Sequence, residues 1–360
     1  MKIPRSRSVL LVVPGLDPVG TGRQLEIVAV GLRAAGWNVQ LAVTTPGGSL
    51  PLQLEQKGFV VHRCGTRPNA GLAAAAALLR LVKASRPAVI YCWGRSQSRL
   101  VGAIKIFLPN VRLLSHLARM PRGLATAWAL RQADGVIAIS PGVQQACQRL
   151  GVAAAVIPPG IDLALGDGLT REQIAASLGL EPTKIWTLCV APLKAQSRLE
   201  HLLWAIDQLG VVNRDLEHVL VGSGPLRERI CRRACVQQLA ERLHLRPHCN
   251  CLPDLLQQVR FVWQSGRVAY GGAILDAMAQ GVASVAVSSD AARQLIVPNE
   301  TGCIVAADPE SEFPRRALGV LEDDALAARY GAAAQVRATE HFPTTLFLAS
   351  HTHALEQVIA

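Results

Sequence analysis

Three glycine-bearing segments, each set between an apolar run and a helical pattern, are the parts of this chain best suited to chemistry. Val19-Gly20-Thr21-Gly22-Arg23 would present main-chain N–H groups at the start of a helix, where an anion can settle. Gly222-Ser223-Gly224-Pro225 follows a strongly apolar run, and glycine there lets a flat or charged ligand reach the main chain. Gly271-Gly272 opens a run of small residues that contains Asp276 and ends at Gly281. The start of such a helix carries roughly half a positive charge and would face a phosphate, while Asp276, about one turn in, would accept hydrogen bonds from a ribose. Plainer roles stand beside these. The first loop also reads as a tight turn, because its spacing is not G-x-G-x-x-G, and Asp276 also reads as a carboxylate that offsets the helix dipole.

The elements that must position these loops alternate along the chain. Short apolar runs at 9–13, 39–44, 59–62, 88–92, 111–116 and 136–139 predict strands. Between the first two, Leu25, Val28, Ala29 and Leu32 fall at i, i+3, i+4, i+7, with Gly36 where a helix end tolerates positive φ. Further helices are expected at 71–85 and from Pro141. After the Pro/Gly turn at 157–162 and a linker to Thr170 the alternation restarts, with strands at 185–190, 217–221 and 282–287. Helices are expected at 199–209, at 226–243 as one long basic helix, at 273–280, and again after Ser311. Alternation of this kind predicts α/β architecture with two doubly wound parallel sheets. Such sheets hold ligands outside the carboxyl ends of their strands, here in a cleft between two facing domains.

Composition narrows the partners. Over 360 residues, 37 Lys and Arg against 26 Asp and Glu leave a formal charge of +11, which favours anionic ligands. An aromatic content of 4% and the lack of a dense Lys/Arg block argue against nucleic acid. Residues 9–13 run into Pro14-Gly15 and are too short for a signal-peptide core, and the apolar run at 70–79 is far too short to span a bilayer. Nine cysteines, an odd number, suit reduced thiols, so a cytoplasmic protein, peripheral to a membrane at most, is expected. Cys231 and Cys235 at i, i+4, with His244, His248, Cys249 and Cys251 downstream, raise a zinc site; the spacings match no common zinc motif, and packed thiols are the expectation. Arg112, Arg119, Arg122 and Arg131 form a basic stretch suited either to solvent or to an acidic membrane carrying a lipid-linked acceptor at the inner membrane face.

Four collinear segments resemble the retaining GT-B glycosyltransferases of group 1, glycosyltransferase family four. They are 136–162 (VIAISPGVQQACQRLGVAAAVIPPGID), 219–225 (VLVGSGP), 264–281 and 293–305, and the likeness covers nearly the whole chain. The resemblance implies two Rossmann-like doubly wound parallel-sheet domains facing across a cleft. It implies an acceptor-side domain at 1–165, a nucleotide-sugar domain at 166–342, and a C-terminal helix at 343–360 packing back on the first. The implied reaction moves a hexosyl group from a nucleotide-diphosphate sugar to an acceptor hydroxyl of a glycan or lipid-linked saccharide, with retention, as in polysaccharide biosynthesis. No cofactor and no metal are implied. No catalytic base is assigned, because substrate and leaving phosphate would handle the proton. The implied donor contacts are Gly20, Gly222, Ser223, Gly224, Gly271, Gly272 and Asp276. His116, ending a strand near the expected cleft, would lie beside the acceptor, although a structural histidine fits its position equally.

The chain departs from the family pattern where charge matters most. Pro192 and Ser197 occupy the slots of the Arg and Lys that hold the donor diphosphate, so Lys194 and Arg198 become the expected substitutes. Each lost donor to developing negative charge costs about 3 kcal/mol. Of the paired acidic slots, the first holds Val268 and the second Asp276. A catalytically inactive relative that serves as a binding or scaffold module is therefore the alternative, and nucleotide-sugar 2-epimerases share the architecture.

Overall fold

The computed structural model describes residues 7–65, 71–161, 166–266 and 270–360. They form two compact units. The first runs to Gly160 and takes back Thr344–Ala360, and the second is Ile161–Pro343. The division falls at 160/161 and 343/344, a few residues from the expected 165/166 and 342/343. At that point the Ile161 amide donates to Phe342 O (2.8 Å), closing the second unit on itself.

In the first unit the chain runs β1 (Ser8–Val13), α1 (Thr21–Ala34), β2 (Asn38–Val43), α2 (Leu50–Gln56), β3 (Val60–Arg63), α3 (Gly71–Ser85), β4 (Val89–Trp93), α4 (Arg95–Lys105), β5 (Arg112–Leu117), α5 (Leu124–Arg131), β6 (Gly135–Ala138), α6 (Pro141–Gln148) and β7 (Ala155–Val156). The seven strands form a sheet in the order β3-β2-β1-β4-β5-β6-β7, and every adjacent pair is parallel. Period-two alternation sends Val9, Leu11 and Val13 to the face covered by Leu25, Val28 and Leu32 of α1. Leu10 and Val12 point to the face covered by Leu78, Val82 and Val101. Both faces are buried, which is why the strands read as continuous apolar runs. The chain leaves this unit through a clamp: buried Gln24 donates from Nε2 to Gly160 O (2.8 Å) and accepts from the Gly160 amide (2.9 Å).

The second unit continues with α7 (Arg171–Leu178), β8 (Ile185–Val190), α8 (Leu199–Val212), β9 (Leu216–Val221), α9 (Arg227–Val236), β10 (Leu243–Arg246), α10 (Leu252–Gln258), β11 (Phe261–Gln264), α11 (Gly272–Ala279), β12 (Ala283–Val287), α12 (Asp290–Leu295), β13 (Cys303–Val305), α13 (Glu312–Glu322) and α14 (Asp324–His341). The last helix, α15 (Thr344–Ile359), seats Phe347, Leu355 and Val358 on the first unit's core. The second sheet has six parallel strands in the order β10-β9-β8-β11-β12-β13.

The expected basic helix at 226–243 is corrected: α9 stops at Val236 and the chain continues into strand β10. Gln238 takes φ +56, and the Leu239 amide donates to Ala234 O (2.8 Å), the left-handed turn that ends many helices. Glutamine rarely fills that position, so the turn carries no glycine to announce it. Buried Asp254 organises the stretch before α7, accepting from the amides of Asp167, Gly168 and Leu169 at 3.1, 2.9 and 3.1 Å. Asp254→Ala strands all three donors, and a loss of about 3 kcal/mol is expected, read as a lower urea midpoint; Asp254→Asn, which keeps an acceptor oxygen, should lose less.

Candidate functional site

In the second sheet the chain passes from β8 to β9 and β10 on one side and returns to lay β11 on the other. The β8/β11 boundary is thus the switch point where doubly wound sheets bind ligands. Loops following β8, β9 and β11 lie side by side there, and hydrogen bonds tie them together.

Gly222 and Gly224 are demanded by that packing. A Cβ on Gly222 would lie 1.9 Å from Ala191 O, and one on Gly224 would lie 2.6 Å from Leu193 O. The two loops run backbone to backbone, with Leu193 N donating to Ser223 O (2.9 Å) and Leu226 N to Leu193 O (3.0 Å). Ser223 is exposed at the tip. Among the described residues, the amides of Ser223 and Gly224 donate to no main-chain acceptor, so they remain available to a ligand.

The loop after β8 is closed on itself. Ser197, at the slot of a family lysine, is buried, and its hydroxyl donates to Pro192 O (2.5 Å). Ser265, just past β11, donates to Ser197 O (2.8 Å). Arg198 caps α8 at φ +47, with its guanidinium 3.5 Å from Glu310 Oε1. Lys194 is exposed on the same loop and forms no ion pair among the described residues. Of the two expected substitute cations, Lys194 is the one whose charge is not already met by a carboxylate.

α11 begins at Gly271, which takes φ +59, and no side chain caps the helix. The first intrahelical bond runs from Leu275 N to Gly271 O (2.9 Å), so the amides of Gly272, Ala273 and Ile274 have no acceptor within the helix. Among the described residues, a Cβ at Gly272 would meet nothing within 4 Å. Asp276 lies half-buried in the second turn, engaged with its surroundings. Val268, at the first acidic slot, lies outside the described residues, as does its neighbour Arg267.

The first unit has its own switch point, between β1 and β4. Gly20 caps α1 there at φ +52, with no side-chain cap and, among the described residues, nothing within 4 Å of a would-be Cβ. His116 is elsewhere. Strand alternation turns it inward, 1% exposed, with its ring stacked on Trp93 at 4.2 Å between centroids. Burial holds its pKa down to about 3. Of the two roles open to His116, this burial fits the structural one.

Cys231 and Cys235 are exposed on α9, while Cys249 and Cys251 lie before α10 with sulfurs 3.6 Å apart. The described residues contain no group of three or more His, Cys, Asp or Glu arranged to hold a metal. Among them, no helix is long and apolar enough to cross a membrane.

Two family models match in tandem. The model described as Glycosyltransferase Family 4 covers residues 19–165, and the one described as Glycosyl transferases group 1 covers residues 184–323. The chain belongs to the group 1 glycosyltransferases. As a member of that family it is 29% identical over 243 residues to the lipopolysaccharide core biosynthesis mannosyltransferase LpcC of Rhizobium leguminosarum bv. viciae. The match takes in 61% of this chain and 66% of that protein, just under two thirds of its length. The crystal structure of Anabaena HepE in complex with UDP superposes with a TM-score of 0.84 at 18% identity, covering 97% of this glycosyltransferase and 100% of that chain. Sucrose-phosphate synthase from Thermosynechococcus elongatus superposes with a TM-score of 0.80 at 18% identity, covering 97% and 98%. These likenesses establish the GT-B architecture of two parallel-sheet Rossmann-like domains.

Signals for β11 and for the uncapped start of α11 were present as Phe261-Val262-Trp263 and Gly271-Gly272. The self-closure of the β8 loop was not readable. Nothing local in Pro192 or Ser197 says that they bond each other.

Proposed function

We propose that this protein transfers a hexosyl group from a nucleotide-diphosphate sugar to a hydroxyl of a glycan or lipid-linked acceptor, with retention of anomeric configuration and with no metal or cofactor of its own. The observations that carry the reading are two sets of main-chain donors in the loops after β9 and β11: the tip of the Gly222–Gly224 loop and the uncapped start of α11. Negative charge grows on the departing diphosphate, and preorganised amides together with Lys194 meet it. Asp276 is assigned to the sugar or ribose hydroxyls, and Gly20 to the corresponding loop of the first unit. Solved relatives holding UDP or UDP-glucose support a nucleotide donor, and the lipopolysaccharide-core relative supports a hexose and a saccharide acceptor. Nine free cysteines support a cytoplasmic location.

Capture of Arg198 by Glu310 and of Ser197 by Pro192 favours the second reading, a family member that binds without transferring. Calorimetric titration with UDP-, GDP- and ADP-sugars separates the two at the first step. One of them should bind, and Lys194→Ala should weaken it by about tenfold to a hundredfold, the worth of one charge-assisted bond. Arg198→Ala should weaken it less. If none of the three sugars binds, donor recognition and transfer both fall; binding without turnover over a panel of saccharide acceptors leaves the scaffold role.

A further inference from the structure

Cys249 and Cys251, in the loop between β10 and α10, hold their sulfurs 3.6 Å apart. Residues 247–250 belong to no helix or strand, and Pro247, His248 and Asn250 are exposed, so a small oxidant reaches the half-buried Cys249 from solvent. Cys251 is the fixed member. It is buried in the cluster that holds Ile174, Leu178 and Leu255, and its carbonyl accepts from the Leu255 amide (2.8 Å) as α10 begins. A disulfide needs the sulfurs about 2.05 Å apart and the Cβ atoms about 3.5–4.5 Å apart. Starting from 3.6 Å, a shift of about 1.5 Å by Cys249 is enough. Cys231 and Cys235 do not qualify: four residues apart on α9, they keep their Cβ atoms about 5–6 Å apart.

Closing that bond pulls on the neighbouring strand. Only Pro247 and His248 separate Cys249 from Arg246, the last residue of β10, and the fixed φ of proline leaves that link little slack. The Arg246 carbonyl accepts from the Gly222 amide (2.8 Å). Gly222 does not follow a displaced Arg246, because the residues on either side of it are held from β8: Val221 O accepts from Ala191 N (3.0 Å) and Ser223 O from Leu193 N (2.9 Å). The bond from Gly222 to Arg246 is therefore the one that gives. Lengthening it by half an ångström or so takes it out of the range of about 2.7–3.2 Å in which such bonds are strong.

We infer that Cys249 and Cys251 form a reversible disulfide that loosens the Gly222–Gly224 loop when the surroundings turn oxidising. The oxidant is a low-molecular-weight disulfide such as glutathione disulfide. The Cys249 sulfur gives up its proton and attacks one sulfur of it, and the first glutathione leaves as a thiol; the Cys251 sulfur then displaces the second. The glutathione S–S bond is exchanged for one in the protein, two electrons pass from protein to glutathione, and both protons end on glutathione thiols. Burial and then Cys251 push the Cys249 thiol up to about 12, so the exchange is slow at neutral pH and answers sustained oxidation rather than a brief pulse. That the loosened loop serves the donor rests on the transfer reading; the disulfide and the loosening do not. The test uses the full chain carrying Cys231→Ser and Cys235→Ser, which removes the two exposed thiols, equilibrated without donor in glutathione buffers from reduced to oxidised. After maleimide trapping, the peptide with Cys249 and Cys251 should become unlabelled and lighter by two hydrogens, and revert under dithiothreitol. Hydrogen exchange at Gly222 should quicken on the order of tenfold in the oxidised form, with exchange in β1 unchanged as the sign of an intact fold. Cys249→Ser in the same background should show neither change. Labelling of both thiols throughout, a glutathione adduct on Cys249 that Cys251 never displaces, or a disulfide that leaves Gly222 protected overturns the inference.

Discussion

Gly272→Asp is expected to abolish stabilisation by nucleotide sugars without destabilising the free protein. Nothing among the described residues lies within 4 Å of a Cβ there, and the position stands at the first turn of an uncapped helix. A carboxylate there complements the helix dipole and should leave the apo melting temperature unchanged or raise it by the equivalent of about 0.5 kcal/mol. It also places a negative charge where the diphosphate is assigned, and a loss of at least a hundredfold in affinity is expected from repulsion across a few ångströms. Gly272→Ala is the control, adding bulk without charge. Calorimetry and thermal shift on the three proteins decide the matter. A Gly272→Asp variant that binds donor as well as wild type removes the start of α11 from the site.

The second large effect is on stability in acid. His116 and His218 are held down to about pKa 3 by burial, and His218 also by Arg242 and His244. His351 lies well below its ordinary value through burial and then the neighbouring His116. In the unfolded chain all three titrate near 6.5. Above that pH both states are neutral and the histidines add no pH dependence. As pH falls from 6.5 toward 3, the unfolded chain takes up protons that the native state refuses, so stability declines throughout that window, by up to about 1.4 kcal/mol per pH unit for each histidine. Two of the three, His116 and His351, belong to the first unit, where Tyr91 Oη meets His351 Nδ1 at 2.6 Å and ties α15 to the sheet. The first unit should therefore melt earlier than the second on acidification, with a slope of roughly 3 kcal/mol per pH unit near pH 5. Differential scanning calorimetry from pH 7 to 4 reads the slope, and His116→Phe should halve the histidine part for that unit. A flat profile over that range would show that these rings take up protons without unfolding.

How much of this was legible depends on whether the cause was local. The period-two run of β1 and the i, i+3, i+4, i+7 pattern of α1 are local, and both elements lie where the sequence places them. Gln238 ended α9 through backbone geometry that glutamine does not advertise. Gly222 and Gly224 were legible as glycines of consequence, but their first duty, backbone packing against Ala191 and Leu193, needs a neighbour thirty-odd residues away in the chain. His116 was placed on the correct strand with an acceptor-side and a structural role both open, since one residue of register decides between core and surface. Thr170 and Gln173 form a reciprocal helix cap that the T-x-x-Q spacing announces, although that stretch was read only as a linker.

The return of α15 bears on how the molecule is made. Its 16 residues leave the ribosome after the whole of the second unit, yet they complete the unit begun by β1. The later-made half has its contiguous stretch in hand before the earlier half receives its closing piece. Until α15 emerges, the oily side of the seven-stranded sheet awaits Phe347 and Leu355. Nascent chains stalled just before α15 emerges should be captured by chaperones or proteases through this half, while the other is already resistant to digestion.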